Sequence, residues 1–353
     1  MGAPLAAADL RRRATGSRSS RPVALLIAAH AASRTVRDDP LVQARLVACA
    51  DTARTSNADL VGRGTVELPF AAFWARKTRP VDWVVMTKLV VIVVLALAMR
   101  GGAAYGVEVV GAGDIASGGS GDTKTSNLVL ALDPARVLTF GDHAYNAGSP
   151  SQFSNYYDPT WGRFKNITEP SPGNHDWYTA GAAGYEGYFG VQAGAIRSFV
   201  VGDWLLVSMD SVKNRASQTT ALRGLLSNDG HRCELLYFHH PRYSSGEHGN
   251  QPQVEPWWDV ADAANVDLIL NGHDHSYERF GLIRGIREVV VGTGGVNTRG
   301  FGAVQPGSQK RLTGNSNWGV LDLELTASGY TGQFRAATGG TGTVRDSFSG
   351  TCR

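Results

Sequence analysis

The stretch TFGDHAYNAG, residues 139–148, directs the interpretation of the whole chain because it joins an apolar run to a cluster of polar residues. The run ends at Gly141, Asp142 follows it, and Tyr145 comes three residues later. Glycine followed by aspartate is common in ordinary turns. The stretch therefore indicates a functional site only if other apolar runs end in the same way.

Apolar, β-rich runs that end in polar, glycine-marked turns recur from Val107 onward. They are VEVVGAGD, RVLTFGD, DWLLVSMD, CELLYFHH, VDLILNGHDH and REVVVGTGG. Continuous Val, Leu and Ile of this length are typical of strands that are buried on both faces in layered α/β folds. Helices are predicted at about residues 218–227 and 255–264, a hairpin at 318–336 and a Gly/Thr-rich loop near 338–343. The pattern predicts a single domain, 107–353, of layered α/β/β/α type.

Metal-binding residue types stand at the ends of these predicted strands. Ligands of α/β proteins gather where the strands finish, at their carboxyl ends. The residues at these positions are Asp114, Asp142 with Tyr145, Asn174 with His175, His239 with His240, and His273 and His275 on either side of Asp274. A single histidine of this kind usually has a structural role, but five such segments in one chain indicate a metal centre.

In chain order these segments read GD, GDxxY, GNHD, H and GHxH. The set resembles the calcineurin-like metallophosphoesterase superfamily and, within it, the purple acid phosphatase branch, over most of residues 107–300. The general pattern of the superfamily has D-x-H and GDxxD, whereas this chain has Ala116 and Tyr145 at the corresponding positions. The tyrosine is the substitution of the purple acid phosphatase branch, and alanine, like the glycine usual in that branch, cannot bind metal. The resemblance implies a four-layer α/β/β/α sandwich in a compact single-domain form.

The resemblance also implies two metal ions and assigns their ligands. The first ion would be held by Asp114, Asp142, Tyr145 and His275, and the second by Asp142, Asn174, His239 and His273. The two oxygens of one carboxylate can bridge two cations about 3.5–4 Å apart. A phenol has a pKa near 10, so a tyrosinate ligand calls for a strongly acidic ion such as Fe(III). The second, imidazole-rich set suits divalent Fe, Zn or Mn.

The same resemblance implies a phosphatase that hydrolyses phosphate monoesters, so a small phosphorylated substrate is the expected partner. A metal-bound hydroxide would attack the phosphorus, and His175 would protonate the leaving group. Asp176 would either accept a hydrogen bond from the His175 imidazole or only cap the loop. The residues expected to orient the ligands without binding metal are Asp274, Tyr277, Glu278 and Arg279.

The same resemblance distinguishes His239 from its neighbour His240 and gives a role to His248. The family spacing has an aliphatic residue three positions before the ligand and proline two positions after it, which fits Leu236, His239 and Pro241. His239 is therefore the expected ligand, and His240 is expected at the rim of the pocket as a substrate-binding residue. His248 stands where related plant enzymes have a phosphate-contacting histidine, so it is the second expected substrate-binding residue.

Two other functions remain open from the sequence. The same metal centre could hydrolyse phosphodiesters or nucleotides, and the sequence carries no motif that separates these substrates from monoesters. The chain could also be a catalytically silent binding protein on a phosphatase scaffold. Loss of a bridging ligand or of the acid histidine would indicate such a protein, and both Asp142 and His175 are present.

The first 106 residues differ in character from the rest. Residues 86–106, MTKLVVIVVLALAMRGGAAYG, have the lysine, apolar run and small residues of a secretory signal peptide that starts at Met86, so a secreted or extracytoplasmic location is expected. Residues 1–85, rich in Arg and Ala, would then be a disordered extension and a start-site artefact. A buried helix or short anchor is the alternative for 86–106, and SRPVALLIAAHAAS is a weaker signal segment. The apolar run is shorter than the about 20 residues of a membrane span, so no stable span is predicted.

Charge and cysteine content agree with export. Residues 1–106 carry 15 Lys and Arg against 7 Asp and Glu, and the remainder carries 19 against 24, so the main domain is mildly acidic. It offers no basic surface of the kind that nucleic acids require. Cys49 lies in the doubtful extension, which leaves Cys233 and Cys352 either as one disulfide or as two unrelated buried thiols.

Overall fold

The computed structural model describes residues 106–353 of the chain. The predictions for residues 1–85, and for the signal peptide at 86–106 apart from its last residue, lie outside the described residues. Among residues 106–353, no helix has both the length and the apolar character that a membrane crossing requires.

Two β-sheets form the centre of the described part of the chain. In chain order the strands are β1 (Val107–Ala112), β2 (Arg136–Phe140), β3 (Thr168–Ser171), β4 (Arg197–Val201), β5 (Trp204–Ser208), β6 (Cys233–Tyr237), β7 (Leu268–Asn271), β8 (Tyr277–Ile283), β9 (Ile286–Val291), β10 (Ser308–Leu312), β11 (Gly319–Thr326), β12 (Gly329–Ala336) and β13 (Thr343–Thr351). The first sheet has the order β13-β12-β11-β1-β2-β3, and the second β10-β8-β9-β7-β6-β5-β4. The predicted strands and the predicted hairpin, β11–β12, are confirmed.

The parallel strands of each sheet finish at a common edge. β1, β2 and β3 run parallel in the first sheet, and β5, β6, β7 and β9 run parallel in the second. The segments that follow β1, β2 and β3 therefore emerge side by side, as do those that follow β6 and β7. This arrangement determines which residues meet at the site.

The longer helices are α1 (Ser120–Leu132), α2 (Ala183–Phe189), α3 (Arg215–Leu226) and α4 (Glu255–Ala263). The two predicted helices correspond to α3, which begins a few residues earlier than expected, and to α4. The sequence pattern does not predict α1, because its buried positions include Gly121, Asp122, Thr125 and Ser126 in place of a continuous stripe of large apolar side chains. Short helical turns occupy Pro150–Gln152, Phe153–Tyr157, Trp161–Ile167, Ala180–Ala182, Pro252–Val254 and Asn315–Asn317.

Buried apolar side chains join the sheets to each other and to the helices. Val109 of the first sheet and Leu206 of the second belong to one buried cluster, which also contains Leu128 of α1. A second cluster joins Leu236 of β6 to Trp257 of α4 on the other face of the second sheet. Successive residues of a strand point to opposite faces, so strands buried on both faces need apolar residues throughout. The predicted α/β/β/α layering is confirmed.

A buried disulfide bond joins the second sheet to the chain end that follows the first sheet. It links Cys233, at the start of β6, to Cys352, which follows β13, with 5.2 Å between the Cα atoms. The bond confirms the bridged alternative and excludes two separate thiols. It spans a sequence separation of 119 residues and so anchors the chain end to the second sheet.

Candidate metal centre

The predicted ligands follow directly after strands of both sheets. Asp114 and Asp142 come two residues after β1 and β2, and His239 and His273 come two residues after β6 and β7. Asp114, Asp142 and His273 have positive φ angles of 60°, 54° and 73°. Non-glycine residues rarely adopt this region, and where they do the surrounding structure must hold them there. The backbone is therefore bent at these positions in a way that turns the side chains inward.

Glycines next to the ligands allow the chain segments to approach closely. A Cβ atom on Gly173 would lie 2.2 Å from Asp142 Oδ1, and one on Gly272 would lie 2.6 Å from Asp114 Oδ2. Neither distance is compatible with any side chain at the glycine position. The glycines before Asn174 and His273 are thus required by contact with a carboxylate from another strand end.

One set of donor atoms surrounds the hydroxyl of Tyr145. This oxygen lies 2.9 Å from Asp114 Oδ1, 3.0 Å from Asp142 Oδ2 and 3.2 Å from His275 Nε2. All four side chains are buried. The structure thus brings together the four residues expected around the first ion.

A second set surrounds Nε2 of His239. This nitrogen lies 3.2 Å from Asp142 Oδ2, 3.0 Å from Asn174 Oδ1 and 3.2 Å from His273 Nδ1. Asp142 Oδ2 belongs to both sets, and ligand atoms of Asp114, Asp142 and His239 all lie within 4.8 Å of one another. The structure therefore groups the predicted residues as two donor sets that share one carboxylate oxygen, while their role as ligands stays a prediction.

His239 and His275 each donate a hydrogen bond through Nδ1, the ring nitrogen that points away from the centre. In the neutral ring, the other nitrogen, Nε2, is therefore unprotonated. His239 Nδ1 donates to the carbonyl oxygen of Phe140 at 2.7 Å, and His275 Nδ1 donates to that of Asn297 at 3.1 Å. In the neutral rings, the Nε2 lone pairs then face carboxylate oxygens, which are also acceptors. A cation between these atoms would satisfy all of them, so the donor set fits a metal centre.

The ionisation of the cluster points to the same requirement for positive charge. Burial lowers the pKa of His239, but the Asp142 and Asp114 carboxylates outweigh this effect and raise the pKa to about 9. Burial raises the pKa of Asp114, but hydrogen bonding and the charge of His275 lower it to about 2. Burial, together with both carboxylates, raises the pKa of Tyr145 well above its ordinary value. Without a cation the cluster retains protons on His239 and Tyr145, and a metal would displace them.

His175 lies beside the two donor sets. Its Nδ1 donates to the carbonyl oxygen of Asn146 at 2.5 Å, and its Nε2 lies 3.8 Å from Asp142 Oδ2. The ring is flanked by Tyr145 and Tyr178, with centroid separations of 4.4 and 4.6 Å. The imidazole is therefore oriented with Nε2 toward the centre.

The geometry agrees with what comparison to known proteins finds. The sequence model of the calcineurin-like phosphoesterases matches residues 105–277. Residues 105–277 of this chain belong to this family. No curated protein sequence matches the chain.

Solved structures resemble this phosphoesterase in fold. A purple acid phosphatase from yellow lupin (Lupinus luteus) seeds has a TM-score of 0.59 at 19% identity, over 69% of this chain and 53% of the lupin chain. GAP50, described as the anchor in the inner membrane complex of Plasmodium, has a TM-score of 0.58 at 14% identity, over 70% of this chain and 90% of its own. PhoD has a TM-score of 0.51 at 11% identity, over 70% of each chain. At these identities the similarity establishes the fold.

The Asp176 carboxylate does not accept a hydrogen bond from the His175 imidazole. Its Oδ2 accepts hydrogen bonds from His143 Nδ1 at 2.9 Å, from the Asp142 backbone N–H at 3.0 Å and from the Gly173 N–H at 2.8 Å. The alternative of a loop cap is therefore correct. Consecutive side chains in a turn point in different directions, so the carboxylate next to His175 faces the interior while the imidazole faces the centre.

The rings of the two further histidines, His240 and His248, both lie close to that of His273. The His240 ring centroid is 4.3 Å from that of His273, and its Nδ1 lies 2.8 Å from the Ser211 hydroxyl. His240 is buried, so the expectation of a rim position is wrong, and burial together with the charges of His239 and Arg215 lowers its pKa well below the usual value. Its binding to substrate stays a prediction.

The four residues expected to orient the metal ligands have other hydrogen-bond partners; they are Asp274, Tyr277, Glu278 and Arg279. Asp274 accepts hydrogen bonds from the His248 backbone N–H at 2.8 Å and from the Ser244 hydroxyl. Glu278 accepts from the Ser245 backbone N–H at 2.7 Å. The two acids therefore hold the loop that carries His248. Tyr277 and Arg279 bind Asp346 of β13, so their expected role beside the ligands is wrong.

Two residues that the sequence does not single out contact the site. Tyr178 accepts a hydrogen bond from Asn174 Nδ2 at 3.2 Å, which leaves Asn174 Oδ1 directed toward His239. Arg299 donates from Nη1 to His248 Nε2 at 2.9 Å. The spacing of four residues between Asn174 and Tyr178 is a local signal that could have been used. No local signal marks Arg299.

Proposed function

We propose that this phosphoesterase hydrolyses small phosphate monoesters at a two-metal centre of the purple acid phosphatase type. The observation that carries the proposal is the position of Asp142 Oδ2, 3.0 Å from the Tyr145 hydroxyl and 3.2 Å from His239 Nε2. One carboxylate oxygen facing two separate donor sets is the arrangement that a bridging ligand needs.

Asp114, Asp142, Tyr145 and His275 would hold one ion, and Asp142, Asn174, His239 and His273 the other. The phenol of Tyr145 has a strongly raised pKa, so its use as a phenolate favours Fe(III) at the first position. The second set, with two imidazoles and an amide oxygen, favours a divalent Fe, Zn or Mn ion. When bound, the two ions would supply positive charge against the phosphate oxygens and an acidified water as nucleophile.

His175 would act as the general acid. Its Nδ1 proton is engaged by the Asn146 carbonyl, so the proton that reaches the leaving alkoxide must come from Nε2. The flanking rings of Tyr145 and Tyr178 restrict the imidazole to this orientation. Proton donation from a fixed group of this kind contributes about 10²–10⁴-fold to rate.

A second candidate is a catalytically silent scaffold protein. It draws on the fold similarity to GAP50, which is described as the anchor in the inner membrane complex of Plasmodium. Both donor sets and His175 are present in this chain, and a purely structural protein needs none of them.

Export is proposed as well. The disulfide between Cys233 and Cys352 supports it, because such bonds persist mainly in oxidising compartments. N-terminal sequencing of the exported protein tests this proposal, since a start near Val107 is expected if the segment from Met86 is a signal peptide.

Metal analysis combined with ester hydrolysis tests the function. The purified protein should contain two ions per chain and should hydrolyse p-nitrophenyl phosphate, and the Asp142→Asn variant should lose both metal and activity. A protein that retains both ions but does not hydrolyse phosphate esters would favour the scaffold candidate.

A further inference from the structure

The rim of the metal centre carries a histidine–arginine pair. The His248 ring stacks on that of the predicted ligand His273, with centroids 4.4 Å apart and an interplanar angle of 28°. On its other side, His248 Nε2 accepts a hydrogen bond from Arg299 Nη1 at 2.9 Å. The guanidinium is the donor in this pair, because arginine has no acceptor atom. The guanidinium is thus hydrogen-bonded to an imidazole that stacks on a predicted metal ligand.

The segment that bears Arg299 is attached to a predicted metal ligand. The Arg299 backbone N–H donates to the carbonyl oxygen of His275 at 2.8 Å, and the carbonyl of Asn297 accepts from His275 Nδ1 at 3.1 Å. Two hydrogen bonds in opposite directions therefore couple residues 297–299 to His275. They give the arginine a defined position relative to the first donor set.

His248 is held just as firmly from the opposite side. Its backbone N–H donates to Asp274 Oδ1 at 2.8 Å, and Asp274 lies between His273 and His275 in sequence. A Cβ on Gly246 would lie 2.3 Å from the Asp274 carboxyl carbon, so the loop closes tightly over this acid. Both members of the pair are thus anchored to the segment that supplies two metal ligands.

The guanidinium retains capacity to bind an anion. Arg299 is 40% exposed, and its nearest acid, Glu247, is 62% exposed with Oε2 at 3.5 Å from Nη1. Exposed ion pairs of this kind contribute little to stability. A phosphate oxygen could therefore bind Arg299 without breaking a strong interaction, and arginine binds phosphate through two parallel N–H donors.

We propose that Arg299, held in place by its hydrogen bond to His248, forms a phosphate-oxygen subsite that selects phosphate monoesters over diesters. The proposal rests on the proposed function and adds a residue that determines its substrate preference. A monoester carries a charge of about −1.5 to −2 at neutral pH, whereas a diester carries a single charge. A diester also replaces one free phosphate oxygen with a second substituent. An arginine at the rim therefore gains a partner with the monoester that the diester lacks.

The test compares Arg299→Gln with the parent as full chains loaded with Mn²⁺. We expect kcat/KM for p-nitrophenyl phosphate to fall by about 10- to 100-fold, as for loss of a charge-assisted hydrogen bond. For bis(p-nitrophenyl) phosphate, kcat/KM should stay close to that of the parent. Calorimetric titration with inorganic phosphate should show a similar rise in Kd, and metal content should be unchanged.

Three further variants refine the comparison. Arg299→Lys keeps the charge but loses the paired donors, so its loss should be smaller than that of Arg299→Gln. Glu247→Gln removes the competing acid and should lower the Kd for phosphate. Arg345→Gln, on the exposed strand β13, removes an arginine elsewhere and should change neither quantity.

The outcomes separate the subsite from the reaction. Equal losses for the two esters, an unchanged phosphate Kd, or loss of metal in Arg299→Gln would each overturn the subsite. Failure of the parent to bind phosphate would do so too. A parent that binds phosphate but hydrolyses neither ester, with a raised phosphate Kd in Arg299→Gln, would support the subsite and overturn the proposed hydrolysis.

Discussion

The hydroxyl of Tyr145 lies 3.0 Å from Oδ2 of Asp142, the same oxygen that faces His239 Nε2. Tyr145 comes three residues after Asp142, and the short turn between them brings the phenol hydroxyl back to the Asp142 carboxylate. The consequence is that one oxygen belongs to both donor sets. Changes at these two residues should therefore have different effects on metal binding.

Tyr145→Phe removes the phenol oxygen but keeps the ring and its packing. A phenolate donates charge to Fe(III) and gives a visible absorption band, so the oxidised parent should be coloured and the variant colourless. Asp142→Asn should lose far more metal and activity, because it weakens both donor sets at once. Visible spectra and metal analysis measure these effects. A colourless parent that still binds two metals would remove the iron–tyrosinate assignment while leaving the phosphatase proposal standing.

His175→Ala should leave both metals bound and reduce kcat by about 10²–10⁴-fold for substrates with poor leaving groups. An activated aryl phosphate needs less help from an acid, so its loss should be smaller. The measurement is the ratio of the two losses, with His231→Ala, at a histidine paired to Asp229, as the matched control. Equal losses for alkyl and aryl phosphates would contradict the general-acid role.

Metal binding should release protons and strengthen as pH rises. Burial lowers the pKa of His239, but nearby carboxylates raise it to about 9, so the metal-free imidazole is protonated below that pH. A cation needs the unprotonated Nε2 and must displace about one proton from this residue. Calorimetric titration with Mn²⁺ at pH 7–8, in buffers of different ionisation enthalpy, measures the release. His239→Gln should release less, and a parent that releases none would contradict the assignment of His239 as a ligand.

Asp176→Asn should destabilise the fold without changing the preference between leaving groups. Asp176 forms a buried pair with His143 and accepts hydrogen bonds from three backbone N–H groups, and breaking a buried pair costs about 3–5 kcal/mol. Urea unfolding measures the loss, and Asp229→Asn, at the more exposed pair with His231, is the control. A change in the ratio of alkyl to aryl phosphate hydrolysis like that expected for His175→Ala would show instead that Asp176 acts through His175.

Replacing Cys233 and Cys352 by serine should lower the free energy of unfolding by about 2–5 kcal/mol. The bond restricts a long loop in the unfolded chain and ties β13 to the second sheet. Urea unfolding of the parent with and without reductant should show the same difference. A parent whose stability is insensitive to reductant would show that the bond contributes little.

Much of the fold and of the centre could be predicted from sequence because the signals are local. Strands buried on both faces require continuous apolar runs, and a glycine next to a ligand marks where each run ends. Asp114, Asp142 and His273, which follow Gly113, Gly141 and Gly272, are recognisable for this reason. The weakly patterned helix α1 was missed, since small and polar residues fill its buried face.

The sequence by itself determined the layered α/β class, the positions of the strands along the chain and the residue types at each strand end. Only the tertiary structure decided that Asp176 binds His143 and not the adjacent His175, that His240 is buried, and that Arg299 reaches His248. His143 and Asp176 are 33 residues apart in sequence, and His248 and Arg299 are 51 residues apart. Local periodicity determines which face a strand residue occupies, but the direction of a loop side chain depends on hydrogen bonds from distant segments.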